Sequence, residues 1–149
     1  MDRYNGKDYT LIFSYGYYCE LIMKIGIDAR MVGSGYGLGR YVEQLLKYIA
    51  QTHTNHTFVV FVRNETGESF IPKDKRFTTV IADIAWYSFR EQLFFSKIIV
   101  AQHLDLMHFP HWNIPMSYRM PFVMTLHDLT MFHFSRPEST THSRAIFFI

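Results

Sequence analysis

Met23-Lys24-Ile25-Gly26-Ile27-Asp28-Ala29-Arg30-Met31-Val32-Gly33-Ser34-Gly35-Tyr36-Gly37-Leu38-Gly39-Arg40-Tyr41 is the stretch whose reading decides the fold. Its first seven residues are a short, mostly apolar run closed near Asp28, the pattern of a buried strand. A glycine-rich loop over 33–39 follows. A helix is then expected over 38–51, because Leu38, Tyr41, Val42, Leu45, Leu46 and Ile49 recur at offsets of three, four and seven, which is one helical face. Strand, glycine loop and helix in that order open a strand-helix-strand unit.

Downstream the alternation continues. Residues 57–62 (TFVVFV) are β-branched and aromatic and read as a second buried strand. The polar stretch 64–76, with Gly67 and Pro72, reads as a loop, and 77–82 as a third strand. A second helix is expected over 88–101, with Ser88 or Tyr87 near its cap and Phe94, Phe95, Ile98 and Ile99 in the core. Strands four and five are expected over 105–109 and 121–126, with a rigid aromatic loop, PHWNIP, over 110–115 between them. These elements specify an α/β fold, a Rossmann-like parallel sheet with helices on both faces. Ligands of such sheets bind at the carboxyl ends of the strands, near the switch point, so loops 30–39, 109–115 and 127–136 are where chemistry is expected.

Upstream, residues 1–22 carry Tyr4, Tyr9, Tyr15, Tyr17 and Tyr18 without a clean period. Two readings stand: an extension ahead of a natural start at Met23, or an extra element on the sheet edge. At the other end the chain stops inside an apolar run, 145–149, which leads us to expect truncation before a second domain.

A length of 149 residues corresponds to about one domain. The net charge of +2 gives no argument for nucleic acid, whose binders present a basic patch or stripe. The single cysteine, Cys19, excludes an internal disulfide framework and fits a reducing compartment. No uncharged apolar run approaches the roughly 18–20 residues of a membrane span, and the apolar stretch 11–23 lacks a signal peptide's flanks. A cytoplasmic protein is expected.

The loop 33–40 places alternate glycines at a strand-to-helix turn. There the backbone can approach a ligand closely, and helix N–H groups suit phosphate. Its spacing departs from both common nucleotide motifs. A dinucleotide fingerprint needs a glycine where Leu38 or Arg40 stands, and a P-loop needs Gly-Lys-Ser/Thr where Gly39-Arg40-Tyr41 stands.

Residues 23–30 followed by Gly35-Tyr36-Gly37-Leu38-Gly39-Arg40-Tyr41 closely resemble the opening of family 4 retaining glycosyltransferases with the GT-B fold. Met107-His108-Phe109-Pro110-His111-Trp112-Asn113-Ile114-Pro115 and Val123-Met124-Thr125-Leu126-His127-Asp128-Leu129-Thr130 resemble two further blocks of the same domain, in the same order. The resemblance covers about residues 23–137 and implies two Rossmann-like domains facing a cleft that holds a nucleotide-sugar donor. It implies that Gly35, Gly37, Leu38, Gly39 and Arg40 lie against the donor phosphates or beside the acceptor. It implies that His127 contacts the donor sugar with Asp128 orienting its loop, and that Trp112 and Asn113 face the acceptor. The family's two glutamates eight positions apart, in its C-terminal domain, have no counterpart here. The 149-residue chain alone is therefore expected to be inactive.

Other side chains leave alternatives open. His108-x-x-His111 with His127 and Asp128 can be drawn as a metal site, but satisfied or solvated histidines are the simpler reading, and no metal or other cofactor is expected. Asp28 either touches a ligand or anchors the glycine loop by accepting N–H bonds. Arg30 and Arg40 either pair with phosphate or are exposed surface residues. The function expected is transfer of a sugar, with retention, from a nucleotide-sugar to a sugar or lipid-linked hydroxyl acceptor in polysaccharide or glycolipid synthesis, with peripheral contact at the inner face of the membrane. Two rivals remain: a non-catalytic binding module, and a nicotinamide-dependent oxidoreductase with Glu65 as its ribose-binding acid.

Overall fold

The structure, a computed structural model, describes residues 21–127. Asp128 and residues 1–20 and 129–149 lie outside the described residues.

Among the described residues five strands form one parallel sheet in the order β3-β2-β1-β4-β5: β1 Lys24–Asp28, β2 Thr57–Val62, β3 Phe77–Ile81, β4 Leu106–Phe109 and β5 Phe122–Met124. The chain runs outward from β1 to β3 and then returns to the other side of β1 for β4. The reversal between β1 and β4 is the switch point of the sheet.

Helices cover both faces. The helix α1, Gly37–Gln51, lays Val42 and Leu46 against Ile27, Ala29, Phe58, Val60 and Val62. On the opposite face Phe95 and Ile99 pack with Val59, Phe61, Met107 and Phe109. The period-two alternation of β2 sends its side chains to the two cores in turn, so Phe58 to Val62 are all buried. Each such buried apolar side chain contributes about 1.5–3 kcal/mol over exposure. At Gly26, in the middle of β1, a Cβ would run into the side chains of Leu104 and Met107, which would have to shift to admit it.

Three expectations are corrected. The stretch 64–76 is not all loop: α2, Glu65–Glu68, is a helical turn capped by Asn64, whose side chain accepts from the Gly67 N–H at 3.0 Å. The second helix is not regular. A π-helical turn, Glu91–Phe95, runs into α3, Ser96–Val100, and Ser88 caps it by accepting from the Glu91 N–H at 3.2 Å. Phe94 is exposed, not core. The wider π turn holds the buried face at Glu91, Phe95 and Ile99 in four-residue steps and leaves Phe94 on the outer side.

The β4–β5 crossover, 110–121, contains no helix. Tyr118 fills the helix's place, buried with its ring edge-on to Phe109 at 5.5 Å and to Phe122 at 6.2 Å.

Candidate functional site

At the carboxyl edge of β1, Asp28 accepts from the Arg30 N–H at 3.2 Å and from its guanidinium at 2.8 Å. Arg30 is thus neither a phosphate hook nor a surface residue. It is buried, stacked 3.6 Å over the Phe95 ring and paired with Glu91 at 2.6 Å. Burial alone would lower its pKa, but attraction and hydrogen bonding from Asp28 and Glu91 outweigh that and raise it above the ordinary arginine value.

Glu91, itself fully buried, spends its second oxygen on two further donors: the Tyr87 N–H at 2.7 Å and the Asn113 amide at 2.8 Å. Tyr87 thereby holds left-handed backbone (φ 56°), which costs a non-glycine residue about 1–3 kcal/mol and tends to occur at functional sites. One buried carboxylate therefore ties the β1 loop, the head of the second helix and the 110–115 loop together.

That loop presents two rings. His111 Nδ1 accepts from the Asn113 N–H and from the Tyr87 hydroxyl, each at 3.3 Å, and Trp112 stands half-exposed beside it. Burial lowers the His111 pKa, and nearby His127 lowers it further against the opposing pull of Asp28 and Glu91. The Tyr87 hydroxyl is raised by burial and then by the Glu91 charge.

The third strand end carries His127. Its Nε2–H donates to the Pro110 carbonyl at 2.8 Å, which holds the ring with Nδ1 turned away from that contact. Tyr41, in the second turn of α1, meets the His127 ring edge-on at 4.8 Å. The Tyr41 hydroxyl also lies 3.4 Å from that of Thr125, which pairs with His108 Nε2 at 2.9 Å. Burial lowers the His108 pKa.

The glycine loop rises beside this cluster. Gly33 and Gly35 have positive φ, +75° and +77°, and the space in front of Gly35 and Gly37 is open. The Tyr36 side chain makes no cap bond, so the first-turn N–H groups of α1 receive no side-chain cap. Leu38 is half-buried and Arg40 exposed. Gly39 differs from its neighbours: it is buried, and a Cβ would strike the Met31 carbonyl oxygen.

The structure therefore gathers the glycine loop, Trp112, Asn113 and His127 on one edge. Asp128 cannot be placed with them. His108 and His111 are engaged by Thr125 and by Tyr87 and Asn113, and among the described residues no three His, Cys, Asp or Glu are grouped to hold a metal ion. The cavity bounded by Asp28, Arg30, Met31, Val42, Trp86, Pro110, His111 and Asn113 has a volume of about 10 Å³, room for about one water.

Sequence reasoning missed Glu91 and Tyr87. A signal for Glu91 was present, since it shares the four-residue spacing of Phe95 and Ile99 and so falls on the buried face. A carboxylate there requires a cation partner. Tyr87 was read only as a residue near the helix cap, and nothing local marked its left-handed backbone or its bond to Glu91. Compared with protein-family models, with curated proteins and with solved structures, the chain matches none. Among the described residues no helix is long and apolar enough to cross a membrane.

Proposed function

We propose that this chain forms the acceptor-side half of a retaining glycosyltransferase of the family 4 type, acting in the cytoplasm. It moves a sugar from a nucleotide-sugar to a sugar or lipid-linked hydroxyl acceptor. The observation that supports the reading is the contact of His127 with Tyr41 of α1, the helix the glycine loop opens, and with Pro110 just past β4.

The chemistry requires stabilisation of a departing diphosphate and of an oxocarbenium-like sugar. First-turn N–H groups of α1 and the open backbone at Gly35 and Gly37 supply fixed dipoles for the first. His127, its ring held by Pro110, offers Nδ1 to a sugar hydroxyl. Trp112 and Asn113 face the acceptor. The roughly 10 Å³ cavity is too small for a nucleotide-sugar, so this reading assigns most of the donor's contacts to a second domain across an open cleft.

Amide and imidazole NMR with added nucleoside diphosphate tests the proposal. Shifts are expected at Gly35, Gly37, Leu38, Gly39, Arg40 and His127, with a Kd of about millimolar order, since half a cleft supplies few contacts. His127→Ala is expected to fold normally, to keep the glycine-loop shifts, and to lose the added response seen with a nucleotide-sugar over the diphosphate alone. Shifts located elsewhere, or an equal response to a nicotinamide dinucleotide, would overturn the assignment.

A further inference from the structure

Tyr87 carries strain that its own packing does not explain. Its backbone is left-handed (φ 56°), a conformation that glycine adopts freely and tyrosine does not. A core aromatic offsets such a cost by burying its ring, but Tyr87 stays 54% exposed. One oxygen of the Glu91 carboxylate holds both the strained Tyr87 N–H, at 2.7 Å, and the Asn113 amide, at 2.8 Å. Residue and 110–115 loop are thereby locked in one arrangement, and what that arrangement presents is a set of rings. Tyr87 stands edge-on to His111, at 90° and 6.1 Å, with its hydroxyl 3.3 Å from Nδ1 of the imidazole. Trp112, 46% exposed, lies 5.8 Å from His111. Burial and then the Glu91 charge raise the Tyr87 pKa, and the Trp112 side chain, acting on the same hydroxyl, only partly opposes them, so the phenol stays protonated.

We propose that Tyr87 is a binding residue for an uncharged pyranoside, whose C–H face stacks on the exposed rings of Tyr87 and Trp112. A pyranose has an apolar face and a rim of hydroxyls. It fits flat rings bordered by neutral hydrogen-bonding groups, here the Tyr87 hydroxyl, the His111 imidazole and the Asn113 amide. A phosphate would need a cation, and the guanidinium of this cluster, Arg30, is buried and engaged by Asp28 and Glu91. The rings and His127 share a loop, since the Pro110 carbonyl accepts from His127 at 2.8 Å. In a glycosyltransferase the sugar bound there is the acceptor. That name alone rests on the transferase reading; the binding of a pyranoside at Tyr87 does not.

Saturation-transfer NMR of the whole 149-residue chain, irradiated at its aromatic protons, is measured with methyl α-glucopyranoside and methyl α-mannopyranoside. Transfer to the sugar C–H protons is expected with at least one of them, together with shifts at the Tyr87 ring and the Trp112 indole N–H. A Kd of about millimolar order or weaker is expected for so open a surface. Tyr87→Gly releases the backbone strain, so thermal unfolding should be unchanged or raised while affinity falls at least about fivefold. Tyr87→Phe keeps the ring and should keep most of the binding. No transfer to either glycoside, an affinity that Tyr87→Gly leaves unchanged, or loss of binding in Tyr87→Phe would overturn the proposal. So would a Tyr87→Gly chain that unfolds well below the parent, since the ring would then be structural, or uridine shifting the same resonances as strongly, since the rings would then hold a base. A chain whose glycine loop answers a nucleoside diphosphate but which ignores both glycosides refutes this proposal and leaves the transferase reading standing. Glycoside binding without a diphosphate response does the reverse.

Discussion

Replacing Arg30 with methionine leaves Asp28 and the fully buried Glu91 without their cation, and urea unfolding is expected to show a loss of about 3–5 kcal/mol. Arg30→Met with Glu91→Leu should recover part of that loss, because the fully buried carboxylate is gone, while Asp28 stays unpaired and the Tyr87 N–H and Asn113 amide lose their acceptor. If the two single losses simply add, the pair is not coupled as described. The histidines give a pH dependence of definite sign. Burial lowers His108 and His111 in the folded chain, whereas unfolded histidine titrates near about 6.5. Stability from both is therefore full above that pH and lost as pH falls through it, because the unfolded chain takes up the protons first. Thermal unfolding from neutral pH to about pH 5 should show this decline, and His108→Gln should make it shallower. At this scale the sequence was only partly legible. Asp28 accepts a backbone N–H, that of Arg30, ahead of the glycine loop and not within it. Neither role open to Arg30 was right, because one of its two carboxylate partners, Glu91, lies 61 positions away and pairing at that range leaves no local pattern.

Among elements, α1 separates two glycines that look alike in the sequence. Gly37, at its first turn with open space around it, should accept alanine with a gain of about 0.4–1 kcal/mol, from a less disordered unfolded chain. Gly39→Ala would drive a Cβ into the Met31 carbonyl and should cost about 1–3 kcal/mol despite alanine's better helix propensity. Denaturant midpoints of the two variants decide this, and a stabilised Gly39→Ala would refute the close contact. The helix α1 was legible because its apolar period is clean, and β2 because it is a continuous β-branched and aromatic run. The π turn was not, since EQLFFSKIIV fits a regular helix equally well and tertiary packing of Glu91, Phe95 and Ile99 chose the wider one. The α2 turn was hidden for a different reason: its four residues are too few to show a period, and only Asn64 signals it.

For the whole molecule, alternation of strands and helices foretold a parallel sheet covered on both faces, but the order β3-β2-β1-β4-β5 rests on which strand β4 joins, which no local signal encodes. The candidate edge followed from the fold class, since ligand sites of such sheets lie at strand carboxyl ends. Amide hydrogen exchange should follow the order, slowest in β1 and β2 and fastest in β5, which among the described residues pairs on one side only. Uniform protection across all five strands would contradict pairing of β5 on one side only. The central place of β1 has a consequence for biosynthesis. One flank of β1 meets β2 soon after both leave the ribosome, but the other waits for residues about 81 positions later, the separation of Lys24 from Asp105. At roughly 5–20 residues per second, that flank stays unpaired for about 4–16 s. The nascent chain therefore carries an open, apolar strand edge over a window in which chaperones, or another nascent copy, compete with β4 for it.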